Sequence, residues 1–351
     1  MSITAKPTGY TVNTAHAKCP DHLWMMDGSD VGTTVLTDIG KIGGLDITLA
    51  NADMWGTDTG DLGSDIVNFN STTSRYARLT GYTPPSSSAL WIAIAKPSSA
   101  TIGAASEVLT GIAKSDGAST AYGYIAFNAT TGYATVLYDY GTNASGNQVG
   151  ASDLYGTSWA MIAGMVRGSD GGTQIIKKLS ANGAAWQNSS AYSGYTFPND
   201  GGGAVPNALG IGCRPSQTVS SIFNGSILAV MAWDDFDWTT ADDTWIASIY
   251  SDPWQFLTTT VKKLKLLAPA EAAEATGIEG VVLNATRDTV IGEFSGQTFE
   301  TALEGGEAVL KIATADITPD GTTLTTSDVP LVIAYNTDYS TDLAAATVIE
   351  E

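Results

Sequence analysis

Basic residues are scarce in this sequence: 16 Lys and Arg stand against 36 Asp and Glu, for a formal charge of -20. Phosphate binding needs a basic patch and none is visible, so no nucleic-acid partner is expected. Histidine and cysteine occur twice each in 351 residues. Two cysteines with no CxxC pair make neither a disulfide framework nor a zinc site. Cys19 and Cys213 are either free buried thiols or one bridge between neighbouring strands, and the residues leave both open. Long apolar runs are missing too. The longest are about eight residues, of which Ile227–Trp233 is typical, against the ~20 that a helix needs to span a bilayer. The opening MSITAKPTGYTVNTAHAKCP has no apolar signal core, so the expectation is a chain made in a cytoplasm, with no membrane partner.

Glutamate is nearly absent from the first three quarters of the chain. Glu107 is the only one before Glu271, and nine follow; conversely all nine Trp lie between Trp24 and Trp254. The composition therefore changes near residue 260. Residues 258–276, TTTVKKLKLLAPAEAAEAT, with a basic patch, Pro269 and small residues, read as a linker. It separates a domain over 22–257 from a small one over 277–351. Residues 1–21 are polar and aperiodic, which suits either a mobile terminus or an arm that docks on a neighbouring subunit.

What is abundant is glycine, 38 residues, with Ser and Thr between short apolar stretches. That pattern means many short strands joined by tight turns. In ALWIAIA, 89–95, both alternating sets are apolar, as in a central strand covered on both faces. Residues 123–140 read as a hairpin turning at Asn128–Gly132. Two strands follow over 159–183, then 208–214 and 223–233. From residue 239 the period changes: Trp245, Ile246, Ile249 and Tyr250 share a helical face, with Thr239 or Thr240 as N-cap and Pro253 as the stop. The tail repeats the β pattern in GVVLNAT, TVIGEF, AVLKIAT and VPLVIAY, a small sandwich or barrel.

The segments HLWMMDGSDVGTTVLTDIGKIGGLDITLANADMW (22–55), VNFN with STTSRYARL (67–79), LGIGCR, FNGSILAVMAW and the ending SDPWQF resemble, in their order, the laminin-G-like branch of the concanavalin A-like lectin/glucanase superfamily. The resemblance covers about 230 residues and implies an all-β, concanavalin A-like jelly-roll sandwich, here followed by the small C-terminal β-sandwich or barrel. It implies no chemistry, because the superfamily holds hydrolases, lectins and structural modules. Its laminarinase branch carries Glu-x-Asp-x-x-Glu on one strand, which a domain whose only glutamate is Glu107 cannot supply.

The residues themselves offer few sites. His16 and His22 have no G-x-S-x-G elbow to serve, so a Ser/His/Asp enzyme is not expected. Weak calcium binding would use Asp234, Asp235 and Asp237, or the pairs Asp27/Asp30 and Asp58/Asp61; solvated acidic loops are the alternative. Sugar binding would use Tyr122 and Tyr124 with Tyr138 and Tyr140 on the adjacent strand; core or interface tyrosines are the alternative. No catalytic residue is named and no cofactor beyond weak Ca2+ is expected. Paired acidic β-modules with a polar arm, and an ending resembling phage structural proteins, lead to a non-enzymatic virion protein. The expectation is a capsid decoration or head-fibre homo-oligomer on the virion surface, made in a host cytoplasm, partnered by other virion proteins and by cell-surface glycans. Other readings are a tail adhesin, a bacterial lectin or an Asp-based hydrolase.

Overall fold

The computed structural model describes residues 10–27, 30–58, 65–99, 105–115, 122–129, 131–139, 156, 158–168, 174–184, 186–188, 192–193, 197–198, 205–216, 219–236, 243–259, 262–283, 289–313, 316–317, 331–335, 340–345 and 347–350. The described residues fall into two units, Val12–Thr258 and, together with Tyr10 and Thr11, Thr259–Glu351. It runs through β1 (Tyr10–Val12), β2 (His22–Met25), β3 (Val35–Leu36), β4 (Ile47–Leu49), β5 (Trp55–Thr57), β6 (Asp65–Phe69), β7 (Ala77–Thr80) and β8 (Ser88–Pro97). Next come β9 (Glu107–Ala113), β10 (Tyr122–Phe127), β11 (Ala134–Asp139), β12 (Ala160–Gly168) and β13 (Gln174–Ala181). The short β14 (Gln187–Asn188) and β15 (Tyr192–Ser193), then β16 (Ala208–Ile211), β17 (Gly225–Asp234) and α1 (Asp243–Ser251), complete this part. The remainder holds β18 (Leu257–Thr259), β19 (Lys262–Ala268), β20 (Thr276–Leu283), β21 (Val290–Thr298), β22 (Ala308–Ala313), β23 (Leu331–Tyr335), β24 (Ser340–Ala345) and β25 (Thr347–Glu350).

The first unit is a sandwich of two antiparallel sheets. One has the order β11-β10-β9-β16-β7-β4-β3; the other runs β14-β13-β12-β8-β17-β6-β5, with β15 on β13 and β2 on β17. The expected hairpin is β10–β11. Its turn closes through Gly132 N–H donating to Asn128 O at 2.9 Å, with Gly132 at φ 67°, where a side chain would be strained. Between the sheets lie Trp24, Val67, Phe69, Trp91, Leu109, Ile112, Ile125, Phe127, Ile162, Leu209 and Val230. In β8 this core takes Ala89, Trp91, Ala93 and Ala95. Leu90, Ile92 and Ile94 point the other way and are also fully buried. Helix α1 lies on that outer face, where the Trp245 ring stands 5.6 Å from Trp233. Its buried residues Trp245, Ile246 and Ile249 are those of the expected apolar face. Thr239 and Thr240, the expected caps, lie outside the described residues.

Two boundaries differ from expectation. Residues 10–20 are folded and do not form a free arm. β1 pairs with β18, Asn13 N–H donates to Phe256 O at 2.8 Å, Lys18 Nζ donates to Ser248 Oγ at 2.7 Å, and Cys19 is buried. Nor is 258–276 a linker. β19 is the central strand of the sheet β22-β19-β25, and a short 3-10 turn follows at Ala270–Glu274. Alternation explains it: Leu264, Leu266 and Ala268 face inward while Lys263, Lys265 and Leu267 stand on the other side, so part of the basic patch is the outer face of a strand. The second sheet here is β21-β20-β23-β24. Leu264, Leu266, Ile278, Val282, Phe294, Leu310, Ile312 and Val332 form one core between the two sheets, so the second unit is a sandwich.

How closely the large sheets approach depends on Gly164 in β12. A Cβ there would come 2.1 Å from Ile125 Cγ2 of the opposite sheet. Gly164→Ala is therefore expected to destabilise the first unit by about 2 kcal/mol through overpacking. Gly156→Ala, with nothing within 4 Å, should leave stability unchanged. Urea midpoints of the two variants check this.

Candidate functional site

The outer face of the larger sheet changes character at one end. In β8 the outward series Leu90, Ile92, Ile94 continues to Lys96, and in β12 the series Met165, Ala163, Met161 leads back to Trp159. Register aligns these breaks. Ala95 pairs with Ala160, Lys96 with Ser226, and Ser226 with Asn68. Trp159, immediately before β12, with Lys96, Ser226 and Asn68 on β8, β17 and β6, thus forms one lateral row, each member half-buried. The chain leaving β5 brings buried Asp58 to the same row.

The row is held together by its own polar groups. Asp58 accepts from Trp159 Nε1 at 3.1 Å through Oδ2, and its Oδ1 lies 3.3 Å from Lys96 Nζ. Lys96 Nζ stands 5.8 Å from the Trp159 ring centroid, a cation–π distance. Ser226 Oγ donates to Asn68 Oδ1 at 2.8 Å. The arrangement sets a half-buried indole, fixed by its own N–H, beside an ammonium, an amide and a hydroxyl. Such a set binds a ring with apolar faces and a polar rim. Asp58 was legible only as half of a calcium pair with Asp61, which lies outside the described residues. The other four are unremarkable one at a time; strand alternation marks Asn68, Lys96 and Ser226 as polar breaks, and only the pairing register brings them together with Trp159.

The structure separates the residues that the sequence singled out. Tyr124 does not face solvent: it is buried with Val108, Ala126 and Leu137 on the outer side of the smaller sheet. Its register partner Gly111 allows close approach, since a Cβ there would come 2.4 Å from Tyr124 Cβ. Tyr122 and Tyr138 lie in β10 and β11, and their side chains, like Tyr140, lie outside the described residues. Asp234 and Asp235 do not converge on a cation. Asp234 turns to His22 at 3.3 Å, whereas Asp235 accepts from the Ser87 N–H at 2.6 Å and from the Ser86 and Ser87 hydroxyls. These bonds hold the Asp235 carboxyl below its usual range despite burial. Asp237 lies outside the described residues. Asp30 accepts from the backbone and hydroxyl of Thr37. Among the described residues no group of three His, Cys, Asp or Glu side chains is placed to hold a metal ion. Glu107 is buried and accepts from the backbone and side-chain amides of Asn224. Both cysteines are free, and burial pushes the Cys213 thiol up to about 12.

His22, which opens β2, is the centre of a buried charge cluster. Its Nδ1 is 2.7 Å from Asp38 Oδ2 and its Nε2 is 3.3 Å from Asp234 Oδ2. Asp38 also accepts from the N–H groups of Leu23, Gly40 and Leu45. Burial alone would depress the imidazole, but the hydrogen bonds to Asp234 and Asp38 prevail and raise it to about 9. Burial likewise opposes ionisation of Asp38; the His22 and backbone N–H bonds outweigh it and lower its pKa. No nucleophile hydrogen-bonds to this imidazole among the described residues, since both ring nitrogens face carboxylates. The cluster ties β2 to the end of β17 and to the loop after β3.

No protein-family model matches the chain, and no curated protein does. Among solved structures it is similar to a sialidase carbohydrate-binding module of Ruminococcus gnavus bound to α2,3 sialyllactose. That likeness has 14% identity, 48% of this chain, 84% of that one, and a TM-score of 0.36. Domain 4 of an extracellular arabinanase from Geobacillus stearothermophilus, in complex with arabinotriose, has 14% identity, 70% of this chain, all of that one, and a TM-score of 0.38. An arabinofuranosidase complexed with arabinofuranosyl-α-1,2-xylobiose has 11% identity, covering 98% and 82% of the two chains, at a TM-score of 0.44.

The charge cluster sets a pH window. With the His22 pKa raised from 6.5 to about 9, its stabilisation is complete below pH 6.5 and is lost as pH rises through about 9. With the Asp38 pKa lowered from 3.8, its stabilisation is present above that value and is lost as pH falls through the depressed one. Urea midpoints of the whole chain should fall at both ends. A midpoint that stays level between about pH 7 and about pH 10 contradicts the cluster's role.

Proposed function

We propose that this protein is a non-catalytic carbohydrate-binding protein whose ligand lies on the Trp159–Lys96–Ser226–Asn68 row of the first unit. One observation carries the reading: an indole pinned at its edge by Asp58 shares a half-buried sheet row with ammonium, amide and hydroxyl groups. A sugar ring presents C–H faces to an aromatic plane and hydroxyls at its rim, and the row supplies the complement of both. Lys96, Ser226 and Asn68 stand on paired strands in fixed register, and Trp159 adjoins Ala160, which pairs with Ala95, so the sheet positions the site. A glycan array followed by calorimetry tests it. Trp159→Ala is expected to weaken the best-bound oligosaccharide at least tenfold, or about 1.4 kcal/mol, with an unchanged circular-dichroism spectrum. Equal affinity in the variant, or no glycan bound by the native protein, overturns the reading.

The proposed setting is a virion surface, with the chain as a homo-oligomeric decoration or head-fibre protein. What supports it is the sequence build of two acidic β-modules, each netting -10 by composition on either side of residue 257. Immunogold labelling of particles, with antibody against residues 22–257, is expected to decorate heads regularly. Label at tail tips would make it an adhesin, and unlabelled particles would leave a cellular lectin instead.

A further inference from the structure

We infer that the ligand of the Trp159 row is an uncharged sugar, and that Asp58 is the residue that excludes acidic ones. The inference rests on the row being the binding site. A sialylated, uronic or sulfated glycan needs a cation able to turn towards it. The cation of this row, Lys96, is already committed: its Nζ lies 3.3 Å from Asp58 Oδ1 and 5.8 Å from the Trp159 ring centroid. An anion approaching Lys96 therefore meets the carboxylate of Asp58, buried beside it, and must compete with or repel it. The other members, Ser226 and Asn68, are neutral groups already paired with each other at 2.8 Å, suited to exchanging hydrogen bonds with hydroxyls. The surroundings add to the bias, since residues 1–257 carry 11 basic and 21 acidic side chains.

Asp58 thus does two things with its two oxygens. Oδ2 fixes the plane of Trp159, and Oδ1 neutralises Lys96 while leaving its remaining ammonium protons to donate. A neutral pyranose or furanose uses both. An acidic one gains the same stacking but meets an ammonium whose charge Asp58 already offsets.

The test compares neutral gluco-, galacto-, xylo- and arabino-oligosaccharides with sialylated, uronic and sulfated ones on the full-length native protein. Neutral ligands are expected to bind at least about tenfold tighter than acidic counterparts of equal length. Their affinity should change less than about twofold between low and high salt, because no net charge is neutralised on binding. Asp58→Asn, which keeps the shape and frees Lys96, is expected to narrow the preference. Should that variant fold poorly, the salt dependence of the native protein decides alone. Preference for acidic glycans that is lost in Trp159→Ala would overturn the inference while leaving the site in place. No binding of either class would overturn the site itself.

Discussion

A sheet with no polar face over most of its length governs this molecule. The middle strands of the larger sheet, β8, β12 and β17, bury side chains on both sides, so one covering layer is not enough. The smaller sheet closes one face. On the other, α1 and the residues after β1 are drawn in, which is why Lys18 and Cys19 are tied down. The requirement is a hydrophobic one and sums over many residues, so the order of elements along the chain follows from it. Where the outward apolar series stops, the face surfaces, and the polar row stands at that edge.

An acidic chain must also find donors for the carboxylates that it buries, and this one does so locally. Asp38 has three backbone N–H groups and an imidazole; Asp58 has an indole and an ammonium; Glu107 has the two amides of Asn224; Asp235 has Ser86 and Ser87. Each bond set joins segments distant in sequence, so the charges double as cross-links between loops. The cost of desolvating a carboxylate is offset only when such donors are already in place, and the donors in turn need an acceptor, so these positions are intolerant of apolar replacements.

Most of the strands could be read from the residues, because alternation and turn chemistry are local. ALWIAIA was legible as a doubly covered strand, Asn128–Gly132 as a turn, and Trp245, Ile246 and Ile249 as the buried side of a short helix. What could not be read depends on pairing. KKLKLLA carries a strand's alternation, but Pro269 and the small residues after it suggest a connector. Tyr124 alternates outward as expected, yet the second face of its sheet is covered, so outward is not exposed. The row itself has no signal in one dimension: Asn68, Lys96, Trp159 and Ser226 are spread over 158 residues and meet only through register. Asp58 looked like a cation ligand because acidic residues cluster near it, whereas its partners are a lysine and an indole from other strands.

The pairing of β1 with β18 has one more consequence. The chain arrives at the first unit and departs from it through neighbouring backbones, with Asn13 N–H bonded to Phe256 O. Everything between those two residues is a closed loop of structure with its ends side by side. Such a unit is a cassette: spliced into a surface turn of an unrelated protein, it would need no rearrangement of its sheets, and its host would need a gap of only one strand spacing.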